Sequence, residues 1–250
     1  MARQGGLLKV VGKLDDLSFY KSADGFLVRT KGGVSADRIN SDPTFQRTRE
    51  NNAEFGMSAA AGKLLRTSVR NLMMTASDNR VTARLTRLMT DVKNLDAANE
   101  RGERHVHEGF DLVEGKAVLK GFNFNNRAVL SGILFKSYAL NTTTGELDIN
   151  GLVPTLDVVS APGATHLSIK SGWTKIDFGS GEFETSISNT VNLPVNASSS
   201  DVNLVHAAAP SLATGIHVFA LQMEFYQEVN GTQYSLKNGG YNSLAVIEVV

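Results

Sequence analysis

Between Asp42 and Leu95 the apolar positions recur with a helical period, whereas the sequence on either side has strand character. Phe45, Asn52, Phe55, Ala59, Gly62, Leu65, Val69, Leu72 and Ala76 follow at steps of three, four or seven, which puts them on one helix face. Asp42 is the expected N-cap, and Pro43 fits the first turn, where a missing N–H costs nothing. Val81, Leu85, Leu88, Val92 and Leu95 form the stripe of a second helix, with Asp78 as its expected N-cap and Gly102 near its end. The two helices, joined near Ser77-Asp78-Asn79, are expected to pack antiparallel.

The middle of the first helix is built from small residues, Gly56, Ser58, Ala59, Ala60, Ala61 and Gly62. Such a face lets another backbone approach closely, although each glycine costs about 1 kcal/mol relative to alanine. It suits packing inside the domain or a contact between subunits, for which Ala59 and Gly62 are the candidate residues. Ser68 reads as solvent-facing. No acidic residue lies between Glu54 and Asp78, while Lys63, Arg66 and Arg70, and then Arg80, Arg84 and Arg87, repeat at helical spacing. Each helix therefore has a basic face. A solvated surface is the plain meaning of such a stripe, and a nucleic-acid contact is the sharper one. Aromatic residues that would stack bases are not interleaved with it.

Before the helices, Leu7 to Leu14, Leu17 to Ser22 and Phe26 to Thr30 read as strands, with an Asp-Gly turn at Ala23-Asp24-Gly25. Phe19 and Phe26 are the further candidate assembly contacts. Lys31-Gly32-Gly33 and the polar run Ser35 to Ser41 form a connector long enough to carry the strands to a neighbouring copy. After the helices, Asn99 to Glu108 reads as a charged linker. Beyond it come short runs separated by Gly, Asn, Ser and Pro.

Strands are expected at 117–121, 128–135, 146–149, 155–159, 166–172, 174–178, 183–188, 217–228, 233–236 and 244–249, with 192–210 as a long loop or arm. Asn230-Gly231 is the strongest hairpin turn. Ala220, Met223 and Phe225 do not alternate strictly, so part of their strand is expected to be covered on both faces. The expected fold is α+β, an N-terminal β-hairpin and an antiparallel helix pair followed by an antiparallel β-sandwich. Its expected segments are 1–33, 34–104 and 105–250.

Composition narrows the classes. The 250 residues are 42% hydrophobic with zero formal net charge. The charge is unevenly placed: 18 basic and 13 acidic residues occur up to Glu108, against 7 and 12 after it. Opposite-signed halves suit head-to-tail contacts between copies. The absence of cysteine excludes a disulfide framework and a thiolate metal site. No signal-peptide core and no apolar run of membrane-spanning length occur, so the expected location is cytoplasmic.

The stretch from Phe19 to Arg29 and the following Phe45-Gln46-Arg47-Thr48-Arg49-Glu50-Asn51 resemble uncharacterised proteins of Bacteroidota. So do Ala161 to His166, Ile176 to Phe183, Glu224 to Gly231 and Tyr234 to Tyr241. The resemblance spans most of the chain and implies no activity.

Candidate chemistry is sparse. His105, His107 and Glu108 are the only concentration of metal-ligand types, since alternate residues on a strand share a face, but two histidines do not close a site. Asp15 and Asp16, and Glu182 and Glu184, are carboxylate pairs, of which the second could flank a sugar. No Gly-x-Ser-x-Gly elbow is present, and Gly32-Gly33 and Gly239-Gly240 lack the context of a phosphate loop. The expectation is a non-enzymatic structural protein that self-associates into an oligomer, a filament or a shell-like assembly of phage-like kind. It needs no cofactor, metal or small-molecule substrate. The alternative is a module binding nucleic acid through the basic helix faces or glycan through the sandwich.

Overall fold

Four N-terminal strands, β1 (Ala2–Arg3), β2 (Gly12–Leu14), β3 (Leu17–Ser22) and β4 (Gly25–Thr30), form an antiparallel sheet in the order β1-β4-β3-β2. The computed structural model describes residues 2–22, 24–30, 33–236 and 239–250. Ala23 of the expected turn, Lys31 and Gly32 of the connector, and Lys237 and Asn238 lie outside the described residues. Leu14 pairs with Leu17, so Asp15 and Asp16 are the two-residue turn between β2 and β3, with Asp15 at φ +46°. Leu7 to Val11, read as strand, is outside β2.

Ser35 caps α1 (Ala36–Ser41), its hydroxyl accepting the Arg38 N–H. Asp42 accepts the N–H and hydroxyl of Thr44, capping a 3₁₀ turn at Pro43–Phe45 that runs directly into α2 (Gln46–Ser68). By its internal contacts the chain divides into Met1–Arg49 and Glu50–Val250. The division falls inside α2, not at 33/34 or 104/105.

After α2 come α3 (Arg70–Met73), α4 (Val81–Lys93), α5 (Val106–Asp111), α6 (Val113–Leu119) and α7 (Leu130–Ile133). The helix pair is antiparallel: Gly62 packs on Leu85 and Thr86, and Glu54 meets Lys93. From Gly62 onward the buried face of the first helical segment is the expected one, Gly62, Leu65, Val69, Leu72 and Ala76. Nearer its start the face is Glu54, Ser58 and Ala61, while Phe55 is 62% exposed. Steps of seven lag a 3.6-residue helix by about 20° each, so the stripe drifts off the core. Ser68 is buried, not solvent-facing. The helix breaks at Val69 (φ −103°, ψ 18°), and the Ser68 carbonyl accepts the Thr185 hydroxyl.

Asp78 does not cap α4 directly. It accepts the N–H groups of Arg80 and Asn126 and pairs with Arg84. Gly102 is left-handed at φ +98°, but α4 ends nine residues earlier, at Lys93. The expected linker holds the start of α5, so His105 and His107 sit at a helix N-terminus rather than on a strand.

The remaining elements are β5 (Ala139–Leu140), β6 (Leu147–Leu152), α8 (Pro154–Asp157), β7 (His166–Asp177), β8 (Glu182–Ile187), β9 (Val191–Pro194), β10 (Ser200–Leu204), β11 (Ile216–Val229), β12 (Thr232–Ser235) and β13 (Ser243–Val249). Strands expected at 117–121, 128–135 and 155–159 are instead parts of α6, α7 and α8 with their flanking turns. Short apolar runs carry no period that separates strand from buried helix. Only the single bridge Leu134↔Val158 remains of strand pairing between two of these runs. Segment 192–210 holds β10 and most of β9, because Val202 and Leu204 alternate into the core.

Strands β7 and β11 pair from Ile176↔Ile216 to His166↔Tyr226 and form the centre of a six-stranded sheet. On the outer side of β11 lie β13 and β12, and on that of β7 lie β8 and β9. The β11–β12 hairpin turns at Asn230 (φ +52°) and Gly231 (φ +76°), as its Asn-Gly sequence requires. One face of the sheet, with Ile176, Val218, Ala220 and Val246, packs on the helices. The other, with Leu167, Trp173, Phe219, Leu221 and Phe225, packs on the three-stranded sheet β10-β6-β5. Strand β11 is thus covered on both faces, and the fold is α+β. A boundary at 104/105 would cut one core, since Leu85 and Val92 share it with Val218 and Val246.

Candidate functional site

Phe19 and Phe26 lie on one face of the N-terminal sheet. Direct pairs across antiparallel strands share a face, so Leu14 and Leu17, Phe19 and Val28, and Lys21 and Phe26 all point the same way. The Lys21 ammonium sits 5.6 Å from the Phe26 ring centre. None of the described residues in 2–49 is buried. Leu7, Leu8, Val10, Val11 and Leu14 are all more than half exposed. The edge strands β1 and β2 have two and three residues beside six-residue neighbours, so β3 and β4 keep unpaired backbone groups on their outer sides.

Ala59 is half-buried and Gly62 is buried, facing α4 of its own chain. The close contact expected from the small residues is therefore made inside the molecule at Gly62. Of the six basic residues, Lys63, Arg70, Arg80 and Arg87 are exposed. Arg66 donates to the Gly62 carbonyl. Arg84 is structural: it pairs with Asp78 at 2.6 Å, donates to the Asn123 and Phe124 carbonyls and lies 5.0 Å from the Phe122 ring centre. It does not belong to a free basic stripe.

The charged residues that the structure brings together are different ones. Glu54 and Lys93, 6% and 3% exposed, form an ion pair between α2 and α4. The other Glu54 oxygen accepts the Gly102 N–H at 2.8 Å. Burial pushes the Glu54 carboxyl up, but Lys93 and the Gly102 N–H outweigh it and hold the group below the usual carboxylate range. Beside this pair, Asn51, Phe55, Thr90, Asn94, Arg101 and Arg104 line a cavity of about 390 Å³. Arg101 donates to Asn51 at 2.9 Å and lies 3.6 Å from Glu50. The buried Nε of Arg104 has no hydrogen-bond partner. No sequence spacing announces this group, because Glu54 and Lys93 belong to helices read separately.

The remaining candidates separate. His105 and His107 have ring centres 5.1 Å apart, and His107 lies 3.3 Å from Glu108. Among the described residues no group of three His, Asp or Glu side chains is placed to hold a metal ion. Glu182 and Glu184 are exposed on β8, with Glu184 accepting the N–H and hydroxyl of Ser211, which lower its pKa. His206 bonds Ser171 at 3.0 Å and Ser186 at 3.2 Å, and burial pushes its pKa down. Ser171 is 3% exposed, so a substrate carbonyl has no approach to its hydroxyl. The pair joins β7 to the chain after β10. Among the described residues no helix is long and apolar enough to cross a membrane. No family model, curated protein or solved structure matches this chain.

Proposed function

We propose that this protein is a non-enzymatic structural component of the cytoplasm that self-associates head to tail, its N-terminal sheet docking on a second copy to build an oligomer, filament or phage-like shell. The observation that carries this reading is the N-terminal sheet itself: Leu14, Leu17, Phe19, Phe26 and Val28 share a face, yet none of the described residues in 2–49 is buried. A sheet of this size needs its apolar face covered to be stable. Charge supports a head-to-tail contact. Residues 1–49 contain nine Lys and Arg against five Asp and Glu, whereas residues 50–250 contain 16 against 20. An unlike pair of surfaces joined this way propagates into a ring or an open filament.

The test is light scattering on the full chain and on a chain lacking residues 1–33. Large species from the full chain and a folded monomer from the truncated one support the reading. A full chain that is monomeric at high concentration, or a truncated chain that assembles normally, removes it. A second reading, nucleic-acid binding, is favoured by the exposure of Lys63, Arg70, Arg80 and Arg87. A monomer whose mobility shifts on DNA or RNA would select it.

A further inference from the structure

The cavity beside the Glu54–Lys93 pair has one cation in excess. Glu54 is neutralised by Lys93, and Glu50 faces Arg101 at 3.6 Å, which leaves Arg104 without a carboxylate at ion-pair distance among the described residues. Its Nε is buried and donates to nothing, an arrangement that costs free energy, while Arg104 itself lines the cavity. The wall is set by ordered groups: the Glu54 carboxylate accepts from Lys93 and Gly102, and Asn51 accepts from Arg101. Phe55, 62% exposed, supplies an apolar surface beside these charges. A volume of about 390 Å³ lies within the range of small-molecule sites.

We propose that this cavity binds a small oxyanion, a carboxylate or a phosphate monoester carried on a flat apolar body. The Arg104 guanidinium takes the oxyanion, because its planar fork matches two oxygens at once. Arg101, half exposed and shared with Asn51 and Glu50, borders the site without adding to its net charge. Phe55 takes the body of the ligand. Lys93 offsets the charge of Glu54 in the cavity wall, so this carboxylate, which also feels Arg104, opposes a bound anion less than an unpaired one would. This site is independent of the N-terminal sheet and does not rest on self-association.

Isothermal titration of the full chain with phenyl phosphate, benzoate and inorganic phosphate, at fixed ionic strength, tests it. Saturable binding of phenyl phosphate or benzoate is expected, tighter than that of inorganic phosphate; which of the two binds better assigns the anion. Arg104→Gln should weaken all three by about tenfold or more, the cost of one charge-assisted pair. Phe55→Ala, at an exposed position, should weaken phenyl phosphate and benzoate severalfold and leave inorganic phosphate unchanged. If Arg104→Gln does not fold, Arg104→Lys, which keeps the charge and loses the fork, takes its place with a smaller expected loss. No saturable heat up to about 10 mM ligand overturns the proposal, as does equal affinity in the wild type and the Arg104 variant.

Discussion

The ammonium of Lys93 meets the carboxylate of Glu54 between two antiparallel helices, with both residues more than nine-tenths buried. The pair fixes how far α2 and α4 can slide, because Glu54 also holds the Gly102 N–H of the following turn.

Removing one partner leaves a buried charge without its counter-ion. Lys93→Met is therefore expected to lower stability by about 3–5 kcal/mol, whereas the double change Lys93→Met with Glu54→Leu should recover much of that loss. Urea unfolding of wild type and the two variants measures both. A single variant within about 1 kcal/mol of wild type would show that the pair is solvated and that this account of the interface is wrong.

Two glycines in neighbouring helices should respond oppositely to alanine. A Cβ at Gly109 would overlap the Val92 carbonyl, where α5 lies against α4. Gly109→Ala is expected to cost about 1–3 kcal/mol or more, since backbone has to move. A Cβ at Gly56 meets nothing within 4 Å, so Gly56→Ala on α2 should stabilise by about 1 kcal/mol. Thermal melts of the two variants shifting in the same direction would contradict this.

Legibility in the sequence followed the strength of the local signal. Val81, Leu85 and Val92 carry the helical period without interruption, and all three are buried. Asn230-Gly231 carries its turn chemistry in two residues, and both have positive φ. Leu130 to Ile133 and Pro154 to Asp157 were unreadable, because four-residue helices are held by tertiary contacts rather than by a period. Phe19 and Phe26 could be placed together because the hairpin register is local. Glu54, Lys93 and Arg104 could not, since long-range pairing of charges leaves no periodic trace, and a polar residue on a helix reads as outward.

Acid should loosen the turn between α4 and α5 at Asp96. This buried carboxylate accepts the N–H groups of His105, Ala98 and Asn99 and the side-chain amide of Asn99. Burial alone would raise its pKa, but these donors hold it at about 2, against 3.8 for a free side chain. A carboxyl lowered on folding contributes fully above the unfolded value and loses its contribution as pH falls through the folded one. The stability difference between wild type and Asp96→Asn should thus be constant above about pH 4 and shrink toward pH 2. A difference that does not change across this range would remove Asp96 as the acid-sensitive group.

The last expectation concerns the contact proposed for the N-terminal sheet. If the sheet docks on a second copy, two contributions act together: the apolar face with Phe19 and Phe26, and the attraction between a basic residue 1–49 segment and an acidic remainder. They differ in their response to salt. Screening lengths shorten from about 10 Å at 0.1 M to about 3 Å at 1 M, so the electrostatic part should fade over that range while the apolar part does not. Phe19→Asp should make assembly more sensitive to salt. It places a charge in the middle of the apolar face and removes an aromatic surface worth on the order of 2 kcal/mol when buried, leaving only the salt-sensitive attraction. Phe19 is not buried, and the variant should keep the unfolding curve of the helices and the six-stranded sheet unchanged. Light scattering across a salt series is therefore expected to show wild-type species that shrink gradually with salt, and Phe19→Asp species that are smaller at low salt and monomeric at 1 M. Wild-type species of constant size from 0.1 to 1 M would mean that charge has no part in the contact. A Phe19→Asp protein that assembles as well as wild type would mean that this face is not the one that docks.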